Sequence, residues 1–109
     1  KFTLGENIGD LGGVNSAFDG LNLYLSKNKA IPLIDNFTQN QRFFISWATI
    51  WRTKMREEAL RTRVMTDPHS PGMYRGYVPL RNIDAFYEAF NINKDDEMYL
   101  KPSDRVKIW

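Results

Sequence analysis

The stretch from Gly5 to Gly13, which reads GENIGDLGG, constrains the fold of this chain most, because it places four glycines inside an apolar pattern with helical spacing. The pattern predicts a helix from Phe2 to about Ser26. Its apolar positions are Leu11, Val14, Phe18, Leu21 and Leu25. Each glycine inside a helix costs roughly 1 kcal/mol relative to alanine. We therefore expect close packing, or a tight approach to a site, to favour these glycines.

Two carboxylates of this stretch, Glu6 and Asp10, lie four residues apart. On a helix with about 3.6 residues per turn, both project from one face, about 6 Å apart along the axis. Two interpretations stay open at this point, a solvated helix face or one metal ligand with a neighbour. Thr3 and Glu6 also fit a capping box, which would engage the Glu6 carboxylate with backbone N–H groups instead of a metal.

Composition predicts one packed unit, or one piece of a larger domain, since 42% of the 109 residues are hydrophobic and 14% are aromatic. A net charge of only +2 implies no polyanion partner, so we expect no binding to nucleic acid. The chain has no cysteine, which excludes disulfides and thiolate metal ligands. No apolar run approaches the ~18 residues that predict a membrane span, and no signal peptide is visible.

The middle of the chain predicts a loop followed by a second helix. Turn-forming residues indicate a loop from Lys27 to Phe37. Thr38 and Gln41 then fit a capping box at the start of a helix. Its spacing predicts a buried stripe of Phe43, Phe44, Trp47, Ile50, Trp51 and Met55.

Basic residues follow between Arg52 and Arg63. One interpretation is a basic strip that binds nucleic acid or an acidic partner. The other is a solvated helix surface with ion pairs such as Glu57 and Arg61. The basic residues are not interleaved with aromatic residues that could stack on bases, which favours the solvated surface. Two prolines and a glycine then predict a rigid irregular loop from Thr66 to Gly76.

The last part of the chain predicts a short helix and an apolar tail. Asn82 is the expected N-cap of a helix that carries Ile83, Phe86, Tyr87 and Phe90. From Pro102 to Trp109 we expect an extended or turn-like tail that docks through Val106, Ile108 and Trp109, because a free apolar tail favours aggregation. Little strand is expected.

Three motifs follow one another along the chain: GENIGDLGG, HSPGMYR from His69 to Arg75, and a terminal VKIW. In this order they resemble the C-terminal part of neprilysin-type zinc metallopeptidases, and the bacterial oligopeptidase O branch looks nearest. The resemblance runs from Phe2 to Trp109 and implies a mainly α fold, the helical C-terminal part of a thermolysin-like catalytic domain with little or no sheet. Residues 1–109 would then form one incomplete unit. Gly9 departs from the family, which more often has alanine, and no HExxH motif occurs.

The resemblance implies roles for four residues, and proximity to His69 suggests one for a fifth, Asp67. Glu6 corresponds to the third zinc ligand, and Asp10 to the carboxylate that accepts the ring N–H of a ligating histidine. His69, the only histidine, corresponds to the donor to the oxyanion of the tetrahedral intermediate, with Asp67 as a candidate to orient its ring. Arg75 corresponds to the arginine that binds the substrate backbone.

These roles predict part of a zinc-dependent metalloendopeptidase that hydrolyses oligopeptides, with one catalytic zinc ion in the full-length enzyme. We expect the 109 residues alone to be inactive and to bind zinc weakly if at all, because two ligands and the general base belong to the missing N-terminal part of the polypeptide. Apolar surface left open by that loss could drive dimerisation. The lack of cysteine favours a bacterial cytoplasm, with secretion or a cell-surface location left open.

Two other classes of function remain as alternatives. One is a stand-alone helical interaction module that binds a protein or nucleic acid through its aromatic helix and basic strip. The other is a self-contained hydrolase in which Glu6 and Asp10 act as an acid and base pair, although no sugar or phosphate site is visible near them.

Overall fold

A computed structural model of the chain describes residues 2–28 and 31–108, which form helices joined by short loops. The helices are α1 (Leu4–Lys27), α2 (Gln39–Ile50), α3 (Glu57–Thr66), α4 (Gly72–Tyr77) and α5 (Asp84–Phe90), with 3-10 turns at Leu80–Asn82 and Pro102–Asp104. In these ranges the only strand-like pairing is an isolated bridge between Ile34 and Phe37. The expectation of a mainly α fold with little or no sheet is confirmed. None of the helices described combines the length and the apolar character that crossing a bilayer requires.

Helix α1 begins one residue after Thr3, and the predicted capping box does not form there. The Thr3 side chain makes no capping hydrogen bond, and its backbone angles of −92° and −1° are helical rather than extended. Extended geometry is what normally lets an N-cap side chain reach the amides of the first turn. The Glu6 carboxylate in that turn is therefore left for other contacts.

The predicted apolar face of α1 is confirmed by burial of Leu11, Val14 and Phe18. The explanation expected for the glycines, however, is wrong at three of them. A Cβ atom at Gly5, Gly9 or Gly13 would meet no atom of the described residues within 4 Å. These glycines face open space, so neither close packing nor a tight approach favours them within this chain.

The loop and the start of α2 follow the sequence signals. Asp35 and Asn36 adopt positive φ angles of 52° and 63°, which polar turn residues tolerate. At Thr38 the capping box forms in both directions, because its hydroxyl accepts from the Gln41 amide at 3.2 Å and the Gln41 side chain accepts from the Thr38 amide at 2.9 Å. The entry to α2 is therefore fixed locally.

The core lies where α1, α2 and α5 meet, around the fully buried Phe44. Its ring stacks on Phe18 with centroids 5.1 Å apart and meets Phe86 edge-on at 5.5 Å. Because α2 ends at Ile50, the buried stripe does not extend as predicted: Ile50 is 64% exposed and Met55 is also exposed.

The basic residues do not share one helix face. Arg52, Lys54 and Arg56 precede α3 in a non-helical segment, while Glu57 and Arg61 form the expected ion pair on α3 itself. No residue of α3 is buried. The solvated-surface interpretation of this region fits these positions.

Asn82 is not the N-cap of α5, because Ile83 occupies that position and Asn82 belongs to the preceding 3-10 turn. The Asn82 side chain instead accepts from the Val106 amide at 2.8 Å and donates to the Val78 carbonyl at 2.9 Å. It therefore fastens the C-terminal tail to the body. In that tail Ile108 packs against the core as expected, whereas Val106 is 55% exposed and Trp109 lies outside the described residues.

Candidate metal and substrate site

The segment after α3 is irregular only from residue 67 to residue 71, because α4 begins at Gly72 and carries Arg75 on a helix. The expected irregular loop up to Gly76 is therefore wrong in its second half. Gly72 allows this helix to approach the end of α2 closely, since a Cβ there would lie 2.8 Å from Thr53 Oγ1 and 3.1 Å from the Trp51 carbonyl oxygen. The start of α4 is therefore packed against the residues that follow α2.

Arg75 and Asp10 form a two-pronged ion pair between α4 and α1. Arg75 Nε donates to Asp10 Oδ2 at 2.7 Å, and Nη2 donates to Oδ1 at 2.8 Å. The two side chains are only 13% and 10% exposed. The Asp10 carboxylate raises the pKa of Arg75, chiefly by accepting these hydrogen bonds. The guanidinium is thus held charged in one orientation.

Two tryptophans of α2 and its end fix Arg75 from the other side. The indole ring of Trp51 stacks on the guanidinium, with the Arg75 Cζ atom 3.9 Å from the ring centroid. Trp47 Nε1 donates to the Arg75 carbonyl oxygen at 3.0 Å. The sequence pattern identified both tryptophans only as core, because contacts between residues so far apart leave no periodic signal.

His69 lies between two carboxylates. Its Nε2 atom is 3.1 Å from Glu6 Oε2, and its Nδ1 atom is 2.6 Å from Asp67 Oδ1. A carboxylate only accepts hydrogen bonds, so both contacts are hydrogen bonds when both ring nitrogens carry a proton. The ring is therefore fixed with Nδ1 toward Asp67 and Nε2 toward the face of α1 that carries Glu6.

Asp67 is held by the residues on either side of it. The His69 backbone amide donates to Asp67 Oδ1 at 2.9 Å, and Arg63 Nε donates to Oδ2 at 2.8 Å. These hydrogen bonds, first of all the one from the His69 backbone, lower the pKa of Asp67 to about 2. Arg63 was not singled out in the sequence, although its spacing of four residues from Asp67 is the signal that could have found it.

A third contact joins the irregular loop to α1. Ser70 Oγ donates to Asn7 Oδ1 at 2.7 Å, across 63 residues of sequence. Each of the two residues follows a site residue directly, Asn7 after Glu6 and Ser70 after His69. The structure thus brings together all five residues expected at the site, as one group around His69 and a second around Arg75, one helical turn apart on α1.

Similarity to known proteins shows the family of this chain. The model of Peptidase family M13 matches residues 1–106. The chain belongs to this family. The resemblance to neprilysin-type zinc metallopeptidases is thereby confirmed.

Named members of M13 agree with this assignment over nearly the whole chain. The neutral endopeptidase of Lactococcus lactis subsp. lactis is 34% identical over 109 residues, which are 100% of this chain and 16% of that protein. Human neprilysin is 36% identical over 110 residues, covering 98% of this chain and 14% of that protein. The chain is therefore a fragment of an M13 protein and spans about a sixth of the length of these relatives.

A solved M13 structure shares the fold of this fragment. The crystal structure of Mycobacterium tuberculosis zinc metalloprotease Zmp1 in complex with an inhibitor superposes with a TM-score of 0.94 and 48% sequence identity. The match covers 99% of this chain and 16% of that chain. The helical fold found here is accordingly that of the corresponding region of an M13 zinc metalloprotease.

The M13 family implies zinc, and the donors of this fragment fit part of a zinc site. Glu6 offers a carboxylate that is about half exposed and makes no capping contact, and carboxylate oxygen is a normal zinc ligand. Within residues 2–28 and 31–108, however, no three His, Cys, Asp or Glu side chains are grouped to hold a metal ion. The fragment can therefore supply one ligand of such a site and not the full set.

An apolar cleft of about 380 Å³ lies beside the Asp10–Arg75 pair. Leu4 and Ile8 of α1 form one wall, and Val106 and Ile108 of the tail form part of another. Leu4 and Ile8 are largely exposed in this M13 fragment. The surface next to the site is thus open and apolar.

Proposed function

We propose that this chain is the C-terminal part of the catalytic domain of a zinc-dependent metalloendopeptidase that hydrolyses peptide bonds in oligopeptides. One observation carries the proposal: a single face of α1 presents Glu6 to His69 at 3.1 Å and Asp10 to Arg75 at 2.7 Å. A carboxylate ligand, a proton donor and a guanidinium are the groups that metal-assisted amide hydrolysis needs from this side of a site.

Glu6 is the residue of this chain that would hold the metal. A bound zinc ion polarises the scissile carbonyl group and lowers the pKa of a water molecule toward 7. Asp10 uses one lone pair on each oxygen for Arg75, and a carboxylate has about four such sites. It therefore retains acceptor capacity for the ring N–H of a ligating histidine from the remainder of the polypeptide.

His69 would stabilise the negative charge that develops on the substrate carbonyl oxygen. Asp67 accepts from Nδ1, which leaves the Nε2–H to donate toward the face that carries Glu6. With a substrate in place, the Nε2–H would donate to the substrate oxygen instead of to Glu6. A donor fixed in advance stabilises this charge without reorganisation of the site at the moment of reaction.

Arg75 would bind the substrate backbone. Its Nε and Nη2 groups are used by Asp10, while Nη1 makes no hydrogen bond to the residues that the structure describes. Because Asp10 and Trp51 fix the guanidinium plane, Nη1 can donate to a peptide carbonyl oxygen with little loss of side-chain freedom.

The apolar surface beside the site suggests where the rest of the polypeptide packs. Phe2, Leu4 and Ile8, which flank Glu6, are 60%, 56% and 44% exposed. Contiguous apolar surface of this kind marks an interface. We therefore expect the missing part of the enzyme to cover it, and the isolated chain to be inactive and to self-associate. A monomeric mass by light scattering would contradict the second expectation.

The experiment that tests the proposed function uses the full-length protein. Zinc-loaded protein should cleave an oligopeptide at an internal bond, lose activity with a chelator and regain it with zinc. His69→Ala should retain zinc but lower kcat on the order of 100-fold, as loss of one oxyanion donor typically does. Peptide cleavage that persists without metal, or a His69→Ala variant with normal kcat, would overturn the proposal.

A stand-alone interaction module is not favoured, because the match to Peptidase family M13 extends over residues 1–106.

A further inference from the structure

Three polar contacts join α1 to the segment from residue 67 to residue 77 in the described part of the chain. They are Glu6 with His69, Asn7 with Ser70, and Asp10 with Arg75. The first and third involve groups that carry the proposed chemistry. The Asn7–Ser70 hydrogen bond involves none of these groups, although Asn7 lies between Glu6 and Asp10 in the sequence, and Ser70 lies between His69 and Arg75.

The contacts differ in what happens to them when the site is filled. Glu6 cannot keep its present contact with His69 while it binds a metal and His69 donates to a substrate. The Asp10–Arg75 pair would persist, because Nη1 is the donor left for the substrate, but Arg75 lies six residues from His69 along the chain. By contrast, neither Asn7 nor Ser70 has a role in the proposed chemistry that requires it to change partner.

We propose that the Asn7–Ser70 hydrogen bond positions His69 relative to Glu6, so that their spacing survives when the direct contact between them is lost. Asn7 directly follows Glu6, and Ser70 directly follows His69. The 2.7 Å hydrogen bond between them therefore joins α1 to the loop beside the two groups whose spacing matters. Both are positioning residues. The inference rests on the proposed function, because His69 matters for rate only if it donates in the transition state.

The loop has other supports, which limit the expected size of the effect. Asp67 orients the ring of His69, and Arg63 holds Asp67. These contacts run within the loop and to α3, so they fix the orientation of the ring but not its distance from α1. A neutral hydrogen bond at the surface contributes modestly, and we expect its loss to lower kcat about 3- to 10-fold.

The test compares Ser70→Ala, Asn7→Ala and the double variant in the full-length zinc-loaded protein. Each single change should lower kcat by about the same factor, with KM within twofold and zinc content unchanged, and the double variant should be no worse than either one. Ser70→Thr, which keeps the hydroxyl group, should have the kcat of the wild type. Ser103→Ala is the matched control, since in the described part of the chain that hydroxyl bonds to its neighbour Asp104 and to no residue of the site.

A second readout does not depend on activity. In metal-free protein, the His69 backbone amide donates to Asp67 Oδ1, and its hydrogen exchange reports opening of the loop. Ser70→Ala should speed this exchange about 3- to 10-fold, while Ser103→Ala should not change it. Asn7→Ala also replaces a poorer helix former by a better one in α1, so a lower kcat in that variant does not reflect loss of the helix.

Outcomes separate this inference from the proposed function. If the wild type shows zinc-dependent cleavage but Ser70→Ala is normal in kcat and exchange, the positioning role is wrong. Additive losses in the double variant, or a loss of zinc in Ser70→Ala, would also overturn it. If the wild type shows no zinc-dependent cleavage, the proposed function fails and this inference fails with it.

Discussion

At the scale of single residues, two carboxylates of the site each accept more than one hydrogen bond. Asp10 holds both prongs of Arg75 and retains lone pairs, and Asp67 holds the amide and ring of His69 while Arg63 holds Asp67. Shared acceptors of this kind fix orientation at little cost in side-chain entropy, because few groups have to be ordered independently.

Replacement of Arg75 tests its assignment to the substrate. Arg75→Lys keeps the charge but loses the bidentate geometry, so we expect KM to rise about tenfold or more with zinc content unchanged. Arg61→Lys is the control, because Arg61 pairs only with the exposed Glu57 on α3. Steady-state kinetics and metal analysis of the full-length protein check this result. Loss of zinc in Arg75→Lys would contradict the assigned role.

The Asp67 carboxylate should titrate at about 2 rather than at 3.8. Since this pKa is lower in the folded state than in the unfolded state, the carboxylate stabilises the fold fully above about pH 4, and that contribution is lost as the pH falls toward 2. Carbon-13 NMR of the side chain measures the midpoint. Asp67→Asn should remove this part of the pH dependence of unfolding, and a midpoint near 3.8 in the wild type would contradict the contacts described.

At the scale of the elements, the glycines of α1 and α4 differ in what surrounds them. Gly9 on α1 faces open space, and its φ angle is not positive. Gly9→Ala therefore removes backbone entropy from the unfolded chain without a clash and should stabilise the chain by up to about 1 kcal/mol. A thermal unfolding curve of this chain should shift upward by several degrees. A downward shift would show that α1 is packed more closely than the structure indicates.

Gly72 on α4 should respond in the opposite direction. A Cβ there would press on Thr53 Oγ1 at 2.8 Å and on the Trp51 carbonyl oxygen at 3.1 Å, so Gly72→Ala should lower the melting temperature and displace Arg75 from Asp10. Thr53→Ala in the same chain removes the nearer contact and should restore part of the loss. If Gly72→Ala unfolds at the wild-type temperature, the close approach of α4 to α2 is not required.

The sequence predicted the helices whose boundaries are encoded locally. The Thr38–Gln41 capping box fixes the start of α2, and the spacing of Leu11, Val14 and Phe18 identifies the buried face of α1. Asn82 failed as an N-cap because it bonds to Val106 in the distant tail. No local pattern reports such a contact.

In the candidate site, too, the sequence predicted residues and local contacts but not contacts between distant segments. The family motifs pointed to Glu6, Asp10, His69 and Arg75, and proximity to His69 pointed to Asp67. The contacts of the first four residues across the site depend on how the segment from residue 67 to residue 77 lies against α1. Asn7 with Ser70, and Trp51 with Arg75, are contacts of that kind. The Arg63–Asp67 contact, four residues apart, could have been found from spacing, and the Asp67–His69 contact was expected from proximity.

At the scale of the whole molecule, the chain contains only some of the groups that a zinc peptidase site would need. It spans 16% of the Lactococcus relative, leaves apolar residues open beside Glu6, and groups no three metal-binding side chains within the residues described. Its residues can orient a donor, a guanidinium and one ligand. The central claim is therefore that Glu6 of this chain completes a zinc site whose other ligands lie elsewhere in the polypeptide.

The most direct test of that claim is the zinc content and peptide turnover of the full-length protein with Glu6→Gln. The amide keeps the shape of the side chain but removes the anionic oxygen, so we expect the protein to lose both zinc and activity while it stays folded. Glu57→Gln, on the exposed face of α3, should retain both. Retained zinc and normal turnover in Glu6→Gln would contradict the account.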